Sequence, residues 1–221
     1  MITSLSRKIK LTEEIESDVK DFLFLPNFGE STENKSRTIG IYGPVTEESC
    51  NNAVSGLIYF RDIGRSQEVI YCEEDQEEVI KEYNLPIELY ISTEGGQVPD
   101  MFSVHDCMRD VRKDCDITTF GLGKVMSAGV LILASGTKGK RKVGRNCRLM
   151  IHSLQGGQYG SIKELEVDIK EVKWYQQRYI ESLSRETNLT ERQIKNFFRR
   201  KTDTFFDAQQ ALEWGIVDEI V

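Results

Sequence analysis

The sequence lacks several features that mark large classes of protein. Its longest apolar run, Val130 to Ala134, is far too short to span a bilayer, and the basic N-terminus has no continuous apolar segment behind it. The five cysteines are odd in number and include no Cys-x-x-Cys pair, which argues against a disulfide framework and against a zinc site. These absences predict a soluble intracellular protein that is not attached to a membrane.

An excess of positive charge is also absent. The chain has 29 Lys and Arg residues against 36 Asp and Glu residues, which gives a formal net charge of −7. Nucleic-acid binding needs a concentrated basic face that releases counterions, and the only candidate for such a face is the stretch from Lys138 to Lys142. We interpret this stretch as a solvated loop between a helix and a strand, and we expect no nucleic-acid partner.

The composition is otherwise that of a globular protein, with 39% hydrophobic and 29% charged residues and no visible repeat or low-complexity tract. A chain of 221 residues can bury one sizeable core, and we predict a single domain over residues 1–221. Two segments are set apart by their pattern. Residues 1–35 are predicted to form an N-terminal arm or loop, and residues 61–84 a charged, solvated insertion.

Strand patterns alternate with helix patterns along the chain. Strands are predicted at Thr38–Tyr42, at Ile87–Ile91, from Ile117 onward and at the segment ending in Ile151-His152. Between them, apolar residues recur at helical spacing over Glu47–Phe60, Met101–Val111, Ser127–Ala134 and Ile162–Leu183. Repeated strand and helix units of this kind predict an α/β fold.

Ser127 is placed at a turn between a predicted strand and a predicted helix. A serine hydroxyl is a poor nucleophile unless a base removes its proton, and an acid in turn orients that base. The N–H of Ala128 begins the helix and has no intrahelical acceptor, so it can donate to a developing oxyanion. Gly95-Gly96 ends a neighbouring strand, and we assign the second donor to Gly96. For the glycine pair alone, an ordinary tight turn is the alternative.

Histidine is scarce, and only two residues could supply the base. His152 follows an apolar run and precedes a glycine-rich loop, which places it at the exposed end of a strand. His105 lies in the apolar stripe of a helix, between Met101 and Met108, where a packing role fits better. We therefore predict His152 as the base, although a lone histidine at a strand end can also be structural.

The acid is less constrained, because four downstream aspartates are candidates. Asp168 lies on the long charged helix and is expected to be solvated, and Asp218 belongs to the predicted terminal strand. Asp203 lies in a break between a basic run and two phenylalanines, with Asp207 close behind. Because loop positions carry function more readily than positions inside regular elements, Asp203 is the preferred acid.

These motifs together resemble the proteolytic subunit of the Clp protease, a serine peptidase that works beneath an AAA+ unfoldase. The resemblance covers residues 87–221 and includes the 25-residue spacing from Ser127 to His152. Its most specific segments are Tyr90-Ile-Ser-Thr-Glu-Gly-Gly96, His105-Asp-Cys-Met108, Gly123-Lys-Val-Met-Ser-Ala-Gly129, Ala134-Ser-Gly-Thr-Lys-Gly-Lys-Arg141, Arg148-Leu-Met-Ile-His152 and Ala211-Leu-Glu-Trp-Gly-Ile-Val-Asp218.

The resemblance implies a role for each candidate residue. Ser127 would be the nucleophile, His152 the general base and Asp203 the orienting acid, while Gly96 and Ala128 would donate to the oxyanion. The implied fold is a spiral of ββα units, also seen in crotonases, in which the long helix forms a handle between stacked rings. The N-terminal arm would then form an axial loop region.

The resemblance also implies an assembly and a reaction. The chain would form homo-oligomers, with heptameric rings stacked in pairs around the active sites, and an AAA+ Clp unfoldase would be the partner that consumes ATP. Unfolded proteins and short peptides would be hydrolysed through an acyl-enzyme, with no metal or organic cofactor. The implied location is the cytoplasm, or a plastid stroma or host cytoplasm for an organellar or viral member.

The chain departs from the family pattern at several positions. Lys124-Val-Met precedes the serine where small residues are usual, and Glu88 occupies a position that is usually aromatic in the pocket for unfoldase loops. Ser161 and Thr202 replace a glutamine and an arginine that join the rings, and His105 replaces a tyrosine.

Two other functions fit parts of the sequence. A catalytically silent ring subunit or scaffold would keep the fold without the reaction, although it would have no chemical reason to retain the serine, the histidine and an acid. A crotonase-like enzyme acting on acyl-CoA could use the same two N–H donors to hold an enolate. That second function gives Ser127 and His152 no joint role.

Overall fold

A computed structural model describes residues 36–72, 77–156, 159–200 and 202–221 of the chain. The arm predicted over residues 1–35 lies outside the described residues. The described part is a mixed α/β structure, which confirms the predicted fold class. In it, no helix is both long enough and apolar enough to cross a bilayer.

A mainly parallel sheet forms the centre of the structure. Its strands are β1 (Thr38–Tyr42), β4 (Ile87–Thr93), β5 (Ile117–Met126), β6 (Arg141–Val143), β7 (Arg148–Ile151), β8 (Thr204–Phe206) and β9 (Glu219–Ile220). The order β1-β4-β5-β6-β9 is parallel throughout, β7 pairs in parallel with β5, and β8 pairs antiparallel with β7. The terminal strand β9 is thus shorter than the strand that the apolar pattern predicts over residues 216–221.

Helices connect and cover the strands. They are α1 (Glu47–Ile63), α2 (Val98–Val111), α3 (Ala128–Ala134), α4 (Ile162–Glu186), α5 (Glu191–Phe198) and α6 (Ala208–Glu213). Reciprocal capping boxes begin four of them, with Thr46, Ser161, Thr190 and Asp207 as the N-cap residues of α1, α4, α5 and α6. The N-cap residues of α2 and α3, Gln97 and Ser127, make no such side-chain bond.

The charged segment predicted as an insertion has regular structure. Its first three residues complete α1, and the rest contains β2 (Arg65–Cys72) and β3 (Glu77–Asn84). These two strands form an antiparallel pair separate from the main sheet, with Val69 opposite Ile80 and Ile70 opposite Val79. The prediction of a charged, solvated insertion assigned no strand to the segment, because its high charge concealed this short pairing of β-branched residues.

The core lies between the sheet and the helices and fixes the ends of β4 and β5. Every residue of α3 is buried, which is typical of a helix that is apolar on all sides. In β4 the alternating residues Ile87, Leu89 and Ile91 are fully buried, as the predicted strand pattern requires. The carboxyl ends of these strands are therefore held rigidly at one edge of the sheet.

A buried ionic cluster joins the end of α4 to α2. The Glu186 side chain is 7% exposed, and both of its oxygens accept hydrogen bonds from Arg112, at 3.1 Å each. His105 is 1% exposed, with Nε2 3.6 Å from a Glu186 oxygen. Burial alone would raise the pKa of Glu186, but His105 and Arg112 outweigh it and lower that pKa to about 2. His105 is thus buried, as its helical position predicted, but it faces a charge.

The basic stretch from Lys138 to Lys142 is only partly a solvated loop. Arg141 begins β6 and is 4% exposed. Its guanidinium donates hydrogen bonds to both carboxylate oxygens of Asp218, at 2.8 and 2.6 Å, and to the backbone carbonyl of Glu186 at 2.6 Å. These contacts make Arg141 a structural residue and use Asp218 as its partner.

Replacing Glu186 with glutamine should lower the free energy of unfolding by about 3 kcal/mol at pH 7, because a buried charge pair is broken. The carboxylate has a lowered pKa in the folded state, so its contribution is present above the ordinary glutamate pKa and is lost as pH falls toward about 2. The free energy of unfolding, measured with urea, should therefore differ between Glu186→Gln and the original chain by an amount that shrinks as the pH falls from 5 to 3.

The matched control is Glu181→Gln, on the same helix, where the carboxylate pairs with Arg178 near solvent. A partly exposed pair of this kind contributes less than about 1 kcal/mol. A Glu186→Gln deficit that stays constant with pH, or that equals the control, would contradict a role for the buried carboxylate charge.

Candidate active site

Ser127 and His152 meet at the carboxyl ends of two paired strands. Ser127 directly follows β5 and His152 directly follows β7, and the parallel register places Met126 opposite Met150. The Ser127 N–H donates to the Met150 carbonyl at 2.8 Å, which fixes the spacing of the two strand ends. As a result, Ser127 Oγ lies 2.8 Å from His152 Nε2, within hydrogen-bond distance.

Ser127 has an unusual backbone conformation. Its φ of 53° and ψ of −117° make it the one non-glycine residue with positive φ among the described residues. Such a conformation costs free energy and persists only where the surrounding structure enforces it. Its side chain occupies the N-cap position of α3 but makes no capping bond, so the hydroxyl is left to the histidine.

Gly95 packs directly against this turn. Its φ is +95°, and a Cβ at this position would lie 2.6 Å from Ser127 Cβ and 3.2 Å from the Ala128 nitrogen. The loop is anchored on its other side, where the Val45 N–H donates to the Gly95 carbonyl and the Gln97 N–H donates to the Val45 carbonyl, both at 2.9 Å. A glycine is therefore required at position 95 for the two segments to approach this closely.

Two backbone N–H groups beside the serine have no partner in the described part of the chain. Gly96 N–H makes no hydrogen bond there, and Ala128 N–H is the first of α3, where no intrahelical acceptor exists. Both residues line the same cleft as Ser127 and His152. The predicted donors are thus close to the serine and free to bind an oxygen atom.

The backbone of the predicted acid, Asp203, lies next to that of His152 in the strand register, but the two side chains are not hydrogen-bonded. His152 Nδ1 is buried and has no hydrogen-bond partner among the described residues, and Asp203 is exposed. The β7–β8 ladder pairs Leu149 with Phe206 and Ile151 with Thr204, so one further step would set His152 opposite Asp203. Directly opposite residues of an antiparallel pair carry their side chains on the same face, within about 5.5 Å.

The other aspartates have different roles. Asp207 caps α6, where its side chain accepts from the Gln210 N–H at 2.9 Å. Asp218 is bonded to Arg141, and Asp168 lies within α4. None of these carboxylates contacts the histidine, so Asp203 is left as the candidate that the strand register favours.

The cleft around the serine has a volume of about 350 Å³. Apolar side chains of Val98, Met101 and Leu154 line it together with the two glycines. At its edge, the Lys124 ammonium lies 2.9 Å from the Glu94 carboxylate. No group of three or more histidine, cysteine or acidic side chains that could hold a metal occurs within the described ranges.

Tyr179 also lines the cleft, and sequence reasoning did not identify it as part of the site. Its position in the apolar stripe of the long helix indicated packing, which is correct for the ring. The hydroxyl, however, donates to the Ser127 carbonyl at 3.1 Å. A single tyrosine in such a stripe gives no sign of this contact, because its partner lies 52 residues away in the sequence.

Replacing Gly95 with alanine should disrupt the serine turn, because the new Cβ would collide with Ser127. We expect the rate at which a fluorophosphonate labels Ser127 to fall by on the order of 100-fold, since the nucleophile and its donors depend on precise placement. Labelling rates measured by intact-protein mass spectrometry would test this expectation.

Gly139→Ala is the matched control, since Gly139 has a similar φ of +87° but a Cβ at this position would have no atom within 4 Å. Both variants carry the same kind of backbone strain, yet only Gly95→Ala should lose reactivity. Equal labelling rates in the two variants would contradict the requirement for close contact at Gly95.

Comparison with known proteins identifies the family. The family described as Clp protease matches residues 78–221. The ATP-dependent Clp protease proteolytic subunit 1 of Salinibacter ruber (strain DSM 13855 / M31) is 29% identical over 187 residues, which cover 85% of this chain and 71% of that protein. These matches confirm the predicted resemblance and its crotonase-like fold. The chain therefore belongs, as a divergent member, to the Clp protease family of serine peptidases.

Proposed function

We propose that this protein is a serine endopeptidase subunit that hydrolyses peptide bonds through an acyl-enzyme. The observation that carries the proposal is the 2.8 Å contact between Ser127 Oγ and His152 Nε2, on a strained turn beside two free N–H groups. A serine gains nucleophilicity when a base is held at this distance. Membership of a serine peptidase family supports the same chemistry.

The reaction begins with proton transfer from Ser127 Oγ to His152 Nε2 as the oxygen attacks the substrate carbonyl carbon. The carbonyl oxygen becomes an oxyanion and accepts hydrogen bonds from the N–H groups of Gly96 and Ala128. His152 then gives its proton to the departing amine, and an ester of Ser127 remains. Water attacks that ester with His152 again acting as base, which releases the acid product and restores the serine.

Asp203 is the orienting acid in this proposal. His152 Nδ1 is buried and unpaired among the described residues, so a proton on that nitrogen needs an acceptor. The extension of the β7–β8 register toward Asp203 supports this residue as the acceptor. Rotation of the exposed Asp203 side chain about its χ1 bond would bring its carboxylate to the histidine, where it would stabilise the protonated imidazole during the reaction.

Assembly would give the cleft its selectivity. Members of the family generally form rings and work with Clp ATPases. For this chain we propose homo-oligomeric, heptameric rings stacked in pairs, with the first half of α4 as the handle between rings. Exposed apolar side chains on that half support a buried role in an assembly, namely Ile162, Val167, Ile169 and Trp174.

An AAA+ Clp unfoldase is the proposed partner, delivering unfolded chains to the cytoplasmic ring. A surface on β1, β4 and β5 supports a docking role. Tyr90 stacks on Phe120 with ring centroids 4.6 Å apart, and Tyr42 and Leu122 nearby are exposed. Small apolar and aromatic surfaces of this kind are typical of sites that receive a partner segment.

The second candidate is a catalytically silent ring subunit. The lack of a hydrogen-bond partner for His152 Nδ1 among the described residues favours it, because the acid holds the histidine in the tautomer that can act as base. The two candidates differ in one property, the reactivity of Ser127, which can be measured without knowing the natural substrate or the unfoldase.

A fluorophosphonate should form one adduct per chain, on Ser127, because the reagent modifies serines that a base and an oxyanion hole activate. Intact-protein and peptide mass spectrometry would locate it. Ser127→Ala should abolish both the adduct and peptide hydrolysis, while Ser103→Ala, an exposed serine on α2, should change neither. Absence of an adduct on folded, oligomeric protein would favour the silent subunit.

Asp203→Asn should lower kcat for a short peptide by on the order of 1,000-fold, because the amide cannot stabilise the protonated histidine in the same way. Asp207→Asn is the control, since asparagine also caps helices well and should leave kcat within about twofold. A larger loss from Asp207→Asn than from Asp203→Asn would overturn the assignment of the acid.

A further inference from the structure

Tyr179 makes a contact that no part of the proposed reaction uses directly. The side chain lies on α4 and is 4% exposed, and its hydroxyl donates to the backbone carbonyl of Ser127 at 3.1 Å. The same carbonyl also accepts from the Val130 N–H at 3.1 Å. Within the described residues, Tyr179 is thus the one side chain that holds the backbone of the serine turn.

The peptide unit that receives this bond joins Ser127 to Ala128. A trans peptide is planar, and its C=O and N–H point in opposite directions. Fixing the Ser127 carbonyl toward Tyr179 therefore fixes the Ala128 N–H in the opposite direction. As the first N–H of α3, the Ala128 N–H points back from the helix start, beside Ser127 and Gly96 in the cleft, where it is available to an oxygen atom.

The peptide unit needs such a restraint. Ser127 is held at positive φ, and rotation of this peptide plane is an obvious way to relieve the strain. The Ser127 side chain provides no cap for α3, since it is turned to His152 instead. The Val130 N–H gives one restraint on the Ser127 carbonyl from within α3, and Tyr179 on α4 supplies a second from outside the turn.

The tyrosine is well suited to act as a fixed donor. Its ring lies 5.9 Å from the ring of Phe198, which packs it from the side of α5. Burial raises the pKa of Tyr179 far above its usual range, so the hydroxyl keeps its proton and remains a donor near neutral pH.

We propose that Tyr179 is a positioning residue that locks the peptide plane between Ser127 and Ala128 and so keeps the Ala128 N–H directed into the oxyanion site. This inference rests on the proposed serine peptidase function. Tyr179 touches no reacting atom. Tyr179 acts through the Ala128 N–H, and it lowers the energy of the transition state, in which negative charge develops on the substrate oxygen.

Tyr179→Phe tests the proposal, because it removes the hydroxyl and keeps the ring. We expect kcat to fall by about tenfold with KM unchanged, since a mispositioned oxyanion donor costs less than the roughly 100-fold or more that follows its complete loss. Inhibition by a peptide boronate, which forms a tetrahedral adduct, should weaken by the same factor as kcat/KM. A purely structural role would not move these two quantities together.

Tyr175→Phe is the matched control. Tyr175 lies one turn earlier on α4 and packs against Phe102, with no contact to Ser127. Both variants remove one tyrosine hydroxyl from the same helix, and only Tyr179→Phe should reduce kcat. A kcat within twofold of the original chain in Tyr179→Phe would overturn the proposal.

Hydrogen exchange separates failure of this inference from failure of the proposed function. The amides of Ser127 and Val130, which donate to the carbonyls of Met150 and Ser127, should exchange faster in Tyr179→Phe than in Tyr175→Phe, and this readout requires no activity. If the original chain does not react with a fluorophosphonate, the proposed function fails, while faster exchange still supports the lock. Unchanged exchange overturns the lock whatever the activity.

Discussion

The positive φ of Ser127 is the constraint on which the arrangement of the site depends. A residue with a side chain adopts that conformation only when its neighbours compensate for the cost. Here the compensation comes from three directions. The Met150 carbonyl accepts from the Ser127 N–H, and the Tyr179 hydroxyl donates to the Ser127 carbonyl. Gly95 packs so closely against the Ser127 Cβ that a side chain at position 95 would collide with it. The strain is thus stored in a turn that three separate segments hold in place.

The sheet explains how such distant segments meet. Parallel strands end at a common edge, and the residues that follow β4, β5 and β7 supply the glycines, the serine and the histidine. Between those ends, α3 contributes buried apolar side chains and, at its first residue, the free N–H of Ala128. The two reactive side chains, Ser127 and His152, lie outside the regular elements that place them, which leaves the core free to pack tightly.

Much of this arrangement could be predicted from the sequence, because it depends on local patterns. The apolar alternation of β4 and the turn at Ser127 both have short-range causes that a sequence displays. The pairing of Ser127 with His152 followed from the scarcity of histidine and from the family resemblance. The strand pair in the charged segment was missed because its charges concealed the few β-branched residues that meet in register.

Other features depend on contacts between distant residues, which no local pattern reveals. The bond from Tyr179 to Ser127 and the burial of Glu186 beside Arg112 both join segments far apart in the chain. The acid could be predicted only in part. Asp203 was preferred because it is a loop residue, and the strand register brings its backbone, but not its side chain, toward His152. The orientation of a side chain at a strand end depends on small differences in free energy between rotamers, and no local sequence pattern predicts them.

The uneven distribution of helix caps has a consequence for the electrostatics of the cleft. Side chains satisfy the first N–H groups of α1, α4, α5 and α6, whereas α2 and α3, which begin beside the serine, lack that screening. Each bare helix start carries a partial positive charge of about half a proton. The two uncapped helix starts therefore favour negative charge beside the nucleophile, in a chain with an overall surplus of acidic groups. Without side-chain caps, α2 and α3 lose the stability that a cap adds to a helix, and their first N–H groups stay open to negative charge.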